Sequence, residues 1–136
     1  MKTFIQVNVE NTAAFSYHRP LLPWLQAQVP EIAVLDIDSD SDEMLVLQAG
    51  RLLREATFYA VYFKVAETNA QLGSAFKLVE EIIREDKPGL ILIEGTHNRL
   101  TAIMQARPHL LLKTVTSLEE IKRHLAEYFK FTTHSG

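Results

Sequence analysis

Leu90-Ile91-Leu92-Ile93-Glu94-Gly95-Thr96-His97-Asn98-Arg99 is a short unbroken apolar run that ends abruptly in polar residues, and an amphipathic segment follows at once. A run of four or more apolar residues bounded by turn signals suits a strand covered on both faces. Lys87-Pro88-Gly89 supplies the turn in front of it, and Gly95 loosens the exit behind it. As the central strand of a parallel sheet, this segment would carry its polar tip at the sheet's carboxyl edge. That edge is where open α/β folds bind ligands.

Outward from this stretch, strands and helical segments alternate. Thr3 to Glu10 reads as strand one, with Ile5, Val7 and Val9 alternating with Gln6, Asn8 and Glu10, the period of a strand with one wetter face. Pro20 and Pro23 then break any long helix, leaving an irregular connection and a short helix with Trp24 packed inward. Ile32 to Asp38 is strand two. A helix from about Asp42 to Ala56 follows, with Leu45, Ala49, Leu52 and Ala56 on one face and capping character in Asp40 and Glu43. Thr57 to Ala66 is rich in aromatic and β-branched residues and reads as strand three. Thr68-Asn69-Ala70-Gln71 is a capping box that opens a helix with Leu72, Phe76, Val79 and Ile83 on one side. After the strand-four stretch come a short helix over 98–106, with Leu100, Ile103 and Met104 inward, and strand five from His109 to Val115. Ser117-Leu118-Glu119-Glu120 caps the last helix, with Leu118, Ile121, Leu125 and Tyr128 or Phe129 facing in.

Five strands alternating with five helical segments predict an α/β three-layer sandwich, its five-stranded, mainly parallel sheet covered by helices on both faces. Right-handed crossovers leave few topologies, and the flavodoxin-like order 2-1-3-4-5 comes first. The polar alternation of strand one favours a second arrangement, with that strand at a sheet edge, antiparallel, as in STAS-like domains. Residues 1–131 read as a single domain and 132–136 as a frayed tail.

Composition narrows the function classes. The chain has 136 residues, 47% hydrophobic and 23% charged, enough for a real core without staples. Zero cysteines excludes disulfides, a Cys-based zinc site and thiol catalysis, and fits a reducing cytoplasm. No apolar run reaches the ~18 residues of a membrane span, and Met1-Lys2-Thr3 leads into a strand-like segment rather than a signal peptide. With a formal net charge of -3, no global basic field invites nucleic acid. Charge is nevertheless uneven: no acid lies between His97 and Lys113.

The strand tips collect on one rim in this architecture, and each set can be weighed. The acidic run Asp36 to Glu43 suggests a hard cation, but an EF-hand loop needs Gly at its sixth position and Glu at its twelfth. Counted from Asp36 these are Ser41 and Leu47, and from Asp38 they are Glu43 and Ala49. Both registers fail, so no metal is expected and the acids read as a solvated turn before a helix. Thr96-His97-Asn98-Arg99 at a helix start, with Lys113 at the next strand's tip, could hold an anion through free N–H groups and positive charge. No Gly-rich phosphate loop accompanies them, and no cofactor is expected. His97 is the one histidine of five expected near the rim, and Glu94, three residues away, is expected on the alternate face. No Gly-x-Ser-x-Gly elbow supports a hydrolase. Phe58, Tyr59, Tyr62 and Phe63 are core by default, or a contact surface for another subunit if one sheet face is open.

Thr96 at the end of strand four, Lys113 at the end of strand five, and Leu112-Lys113 ahead of Ser117-Leu118-Glu119-Glu120 resemble response-regulator receiver domains. The spacing of elements is similar over nearly the whole chain. The resemblance implies a regulatory domain, but the phosphate-accepting Asp is missing. Strand one ends in Glu10-Asn11, strand three reads Tyr62-Phe63-Lys64-Val65, and Thr114 rather than Pro follows Lys113.

Two expectations follow. The first is a non-catalytic α/β regulatory or protein-interaction module, receiver-like or STAS-like, with a protein partner or a homo-oligomer and no nucleic acid or membrane. The second is a small enzyme or ligand-binding protein that takes an anionic small molecule at the carboxyl rim, with Thr96, His97, Asn98, Arg99 and Lys113 as its ligand-binding residues and no catalytic set assembled.

Overall fold

A computed structural model describes residues 1–9, 21–38 and 41–131. Five strands, β1 (Lys2–Val9), β2 (Ala33–Asp38), β3 (Phe58–Val65), β4 (Gly89–Glu94) and β5 (Leu110–Val115), form one sheet. Its order is β2-β1-β3-β4-β5, and every neighbouring pair is parallel. The helices are α1 (Leu21–Gln28), α2 (Glu43–Glu55), α3 (Phe76–Arg84), α4 (Asn98–Gln105) and α5 (Leu118–Phe129), with a short 3-10 turn at Gly73–Ala75 before α3. Helices α2, α3 and α4 pack on Ile5, Val7, Val61, Phe63, Ile91 and Ile93. Helices α1 and α5 cover Phe4, Ala60, Tyr62, Leu90 and Leu92 on the other face. This is the flavodoxin-like sandwich, and no helix among the described residues is long and apolar enough to cross a membrane.

The run Leu90 to Ile93 is the strand it promised to be: those four residues are at most 1% exposed. Both sheet neighbours and both helical layers exclude water from it, hence the absence of polar alternation. A side chain at Gly95 is doubly forbidden. Its φ of +95 lies in the left-handed region, and a Cβ there would sit 2.3 Å from the Val65 carbonyl oxygen. At the other end of the strand, a Cβ on Gly89 would lie 2.2 Å from the Tyr59 ring.

Strand β1 corrects the edge-strand alternative. It is central, between β2 and β3, and its polar residues are inside: Thr3 is 0%, Gln6 4% and Asn8 2% exposed. Its alternation marks a buried polar face, not a wet one. Tyr59 and Tyr62 are buried as well, so the sheet offers no open tyrosine surface.

Three helical readings also shift. In α2 the buried residues are Val46, Ala49, Gly50 and Leu53, a face rotated from the expected stripe, and Asp42 rather than Asp40 is the cap, its carboxylate accepting from Leu45 N at 2.9 Å. Asp40 lies outside the described residues. The box at 68–71 caps nothing: Asn69 is left-handed (φ 57), and α3 starts at Phe76. Competing hydrogen bonds to the α4 segment hold that loop open. In α5, Ser117 caps as expected, but Leu118 is 36% exposed while Ile121, Leu125, Ala126 and Phe129 turn inward. Trp24 is half-buried, its ring 5.6 Å from that of Phe131. The expected tail at 132–136 lies outside the described residues.

Candidate functional site

The carboxyl rim has two sides, divided by the sheet. On the α3/α4 side, Asn69 and His97 tie the loop after β3 to the start of α4. The Asn69 N–H donates to the Thr96 carbonyl at 2.8 Å, and the Asn98 N–H donates to Asn69 Oδ1, also at 2.8 Å. His97 Nδ1 accepts from Leu100 N at 3.0 Å as the cap of α4. That tautomer carries its proton on Nε2, which lies 2.9 Å from the Ala70 carbonyl and donates to it. The ring is only 6% exposed. Both ring nitrogens are therefore occupied by backbone, and His97 has no free nitrogen for base chemistry.

The same bonds engage the helix terminus that was expected to hold an anion. Two first-turn N–H groups of α4, those of Asn98 and Leu100, already donate to protein acceptors. What remains is an open depression of about 450 Å³ lined by the 69–73 loop, Phe76 and residues 97–99. Exposed Arg99 forms part of its wall, with its guanidinium 4.9 Å from the centre of the Phe76 ring. Thr96 is exposed beside it.

Lys113 is not part of this group. It pairs with Leu92, two residues short of the end of β5, and Leu92 belongs to the α1/α5 face. The sheet thus puts Lys113 on the opposite side from the depression, with its side chain exposed. Thr96, His97, Asn98 and Arg99 are brought together, and Lys113 is separated from them.

On the α1/α5 side lies a set of polar residues that the strand-tip reasoning missed. Register aligns Asp36, Gln6 and Tyr62 across β2, β1 and β3, and one step nearer the rim Asp38, Asn8, Lys64 and Glu94 across β2, β1, β3 and β4. Gln6 Nε2 lies 3.5 Å from Asn8 Oδ1, and Asn8 Nδ2 donates to Asp36 Oδ1 at 3.0 Å. The Tyr62 hydroxyl donates to Glu94 Oε1 at 2.7 Å. Burial, first, and then that hydrogen bond and the charge of Glu94 push the Tyr62 phenol far above its ordinary pKa. Glu94 does take the alternate face from His97, as expected, and it serves a tyrosine there. The signal for this set was in the sequence: polar residues two apart in strand one (Gln6, Asn8) matched by the same spacing in strand two (Asp36, Asp38).

Other charged groups serve the frame. Glu81, 5% exposed, sits between Arg54 at 2.6 Å and Arg84 at 3.1 Å, joining α3 to α2. Lys87 Nζ donates to the carbonyls of Leu53, Arg54 and Ala56 at the end of α2. Among the described residues no group of three or more His, Asp or Glu is placed to hold a metal. Asp38 instead shares a turn with Ser41, its N–H donating to Ser41 Oγ at 2.8 Å. No protein-family model matches this chain, and no curated protein or solved structure matches it either.

Proposed function

We propose that this chain is a non-catalytic α/β interaction module that works by protein–protein contact through the outer face of α2. One observation carries the reading. Met44 is 81% and Leu47 59% exposed, three residues apart on the same helix, and they are the two most exposed large apolar side chains among the described residues. They flank a groove of about 670 Å³ that Arg51 and Arg54 also line. Among the described residues, His97, Glu81 and Lys87 are held by structural partners, which supports the non-catalytic half of the reading.

The two-residue apolar patch, self-complementary about a two-fold axis, favours a second copy as the occupant. The charges at the ends of α2 are engaged within the chain, Glu43 with Lys77, Arg51 with Glu55 and Arg54 with Glu81. Two such helices meeting antiparallel pack Met44 and Leu47 against the same pair of the other copy and oppose their dipoles. One helix face is smaller than the ~800 Å² per partner of a standard interface, so the dimer is weak and rapidly exchanging. Sedimentation across a wide concentration range is expected to show reversible dimerisation that Leu47→Asp abolishes without lowering Tm. A monomer at every concentration would refute the reading.

A second reading, a small anion in the α3/α4 depression, draws on Arg99 at its wall. With most first-turn donors occupied, such binding is weak and falls with salt. Amide shifts at 69–73 and 97–99 on titration with phosphate would support it, and none at millimolar phosphate would remove it.

A further inference from the structure

The depression between the 69–73 loop and the start of α4 joins open space to an apolar lining and to donors without partners. Its volume of about 450 Å³ lies within the about 300–1,000 Å³ of small-molecule sites. Buried Ala70 and Leu72 and half-buried Phe76 form the apolar part of its lining. No acidic side chain lines it, and Arg99 is its one permanently charged lining residue. Among the described residues Arg99 makes no hydrogen bond or ion pair, only the contact of its guanidinium with the Phe76 ring.

The backbone adds donors of its own. Leu72 is right-handed (φ -71, ψ -27) and Gly73 left-handed (φ 56), the alternation that turns successive N–H groups toward one side and makes an anion-binding concavity. Among the described residues no backbone hydrogen bond engages the N–H of Gln71, Leu72 or Gly73. Asn69 accepts from Asn98 N through Oδ1, which leaves its side-chain N–H groups for another acceptor.

We propose that this depression binds a small aromatic carboxylate, which rests on the anion reading of the same depression but gives the ligand an apolar body. The lining sets the class. Arg99 and the N–H groups of residues 71–73 ask for an anionic acceptor, and a planar carboxylate matches the guanidinium fork with two parallel hydrogen bonds. Ala70, Leu72 and Phe76 ask for apolar surface, which an inorganic anion lacks: phosphate satisfies the donors and leaves that lining wet. A ring supplies the surface and can meet Phe76 edge to face beside the planar guanidinium. Both His97 nitrogens are bonded to backbone, so the ligand is held rather than converted.

The test titrates the intact chain with benzoate, against acetate, benzyl alcohol and inorganic phosphate. Benzoate is expected to give saturable amide shifts at 69–73 and 97–99, with the Leu72 and Gly73 amide protons moving downfield. Acetate lacks the ring, benzyl alcohol lacks the charge, and each should bind at least tenfold more weakly, as should phosphate. Arg99→Gln should weaken benzoate at least tenfold and leave Tm of the free protein nearly unchanged, because the side chain is exposed. Arg99→Lys, which keeps the charge without the fork, should recover only part of the loss. No saturable shift with benzoate overturns the proposal, and so does benzoate binding that Arg99→Gln leaves intact. Benzyl alcohol binding as tightly as benzoate overturns it too, since the donors then play no part. Phosphate binding at these amides as tightly as benzoate keeps the anion reading and removes the aromatic one, whereas silence with every anion removes both. The α2 contact stands or falls separately, on sedimentation.

Discussion

At the scale of the residue, His97 shows how one side chain takes a structural job where chemistry was conceivable. Its two nitrogens join the α4 terminus to the loop after β3. His97→Ala removes the cap and leaves the Ala70 carbonyl without its donor, so urea denaturation should find a loss of about 1–3 kcal/mol. His97→Asn keeps a capping group and is expected to recover part of that loss. Equal losses for the two would mean that the cap contributes nothing. The gathering of Thr96 to Arg99 was legible in the sequence because they are contiguous at a helix start. The exclusion of Lys113 was not. Which face a strand residue takes turns on a single residue of register, and the register sets Lys113 opposite Leu92, on the α1/α5 side.

At the scale of the element, β4 shows why its reading was secure. An apolar run between a turn and a glycine has few alternatives, and Ile93 ends up 1% exposed. Ile93→Ala is expected to cost about 2–5 kcal/mol, and a loss under ~1 kcal/mol would place it outside the core. Helix α5 offers a milder test: Ser117→Ala should cost about 0.5–2 kcal/mol, because the Ser117 hydroxyl accepts from Glu120 N. Less legible were elements whose local signals met tertiary competition. The box at 68–71 has the residues of a helix start, but Asn69 bonds across the rim to Thr96 and Asn98, and the helix begins seven residues later at Phe76. In α2 the adjacent apolar pairs Leu45-Val46 and Leu52-Leu53 left its rotation undecided, and packing buried Val46 and Leu53 more fully than Leu45 and Leu52.

At the scale of the whole molecule, the buried phenols make stability sensitive to alkali. Burial raises the pKa of both Tyr59 and Tyr62 in the folded chain, above the value near 10 that each has when unfolded. Below pH 10 the hydroxyls are neutral in both states. Above it the unfolded chain loses those protons first, so stability falls as pH rises. Absorbance titration should show Tyr59 and Tyr62 ionising only together with the unfolding transition, and early ionisation would mean that water reaches them. Heating with EDTA and with excess Ca²⁺ or Mg²⁺ should give coincident curves; a rise of several degrees with metal would reinstate the acidic run as a cation site.

The position of β1 has a consequence in time as well as in space. It lies at the start of this sequence and at the middle of the sheet, so both its neighbours are supplied by later segments: β2 from Ala33 and β3 from Phe58. No local hairpin is available to any strand, because every pairing is parallel and needs a crossover. Such a chain pays loop-closure entropy before any sheet contact repays it, and it folds on the slow side for its length. Until β3 arrives, the most buried strand of the finished protein is its most exposed, with two unpaired edges and an apolar face of Ile5, Val7 and Val9. The alternate Gln6 and Asn8 interrupt that segment every second residue, and so also act as its guard against pairing with other chains before its own strands are made.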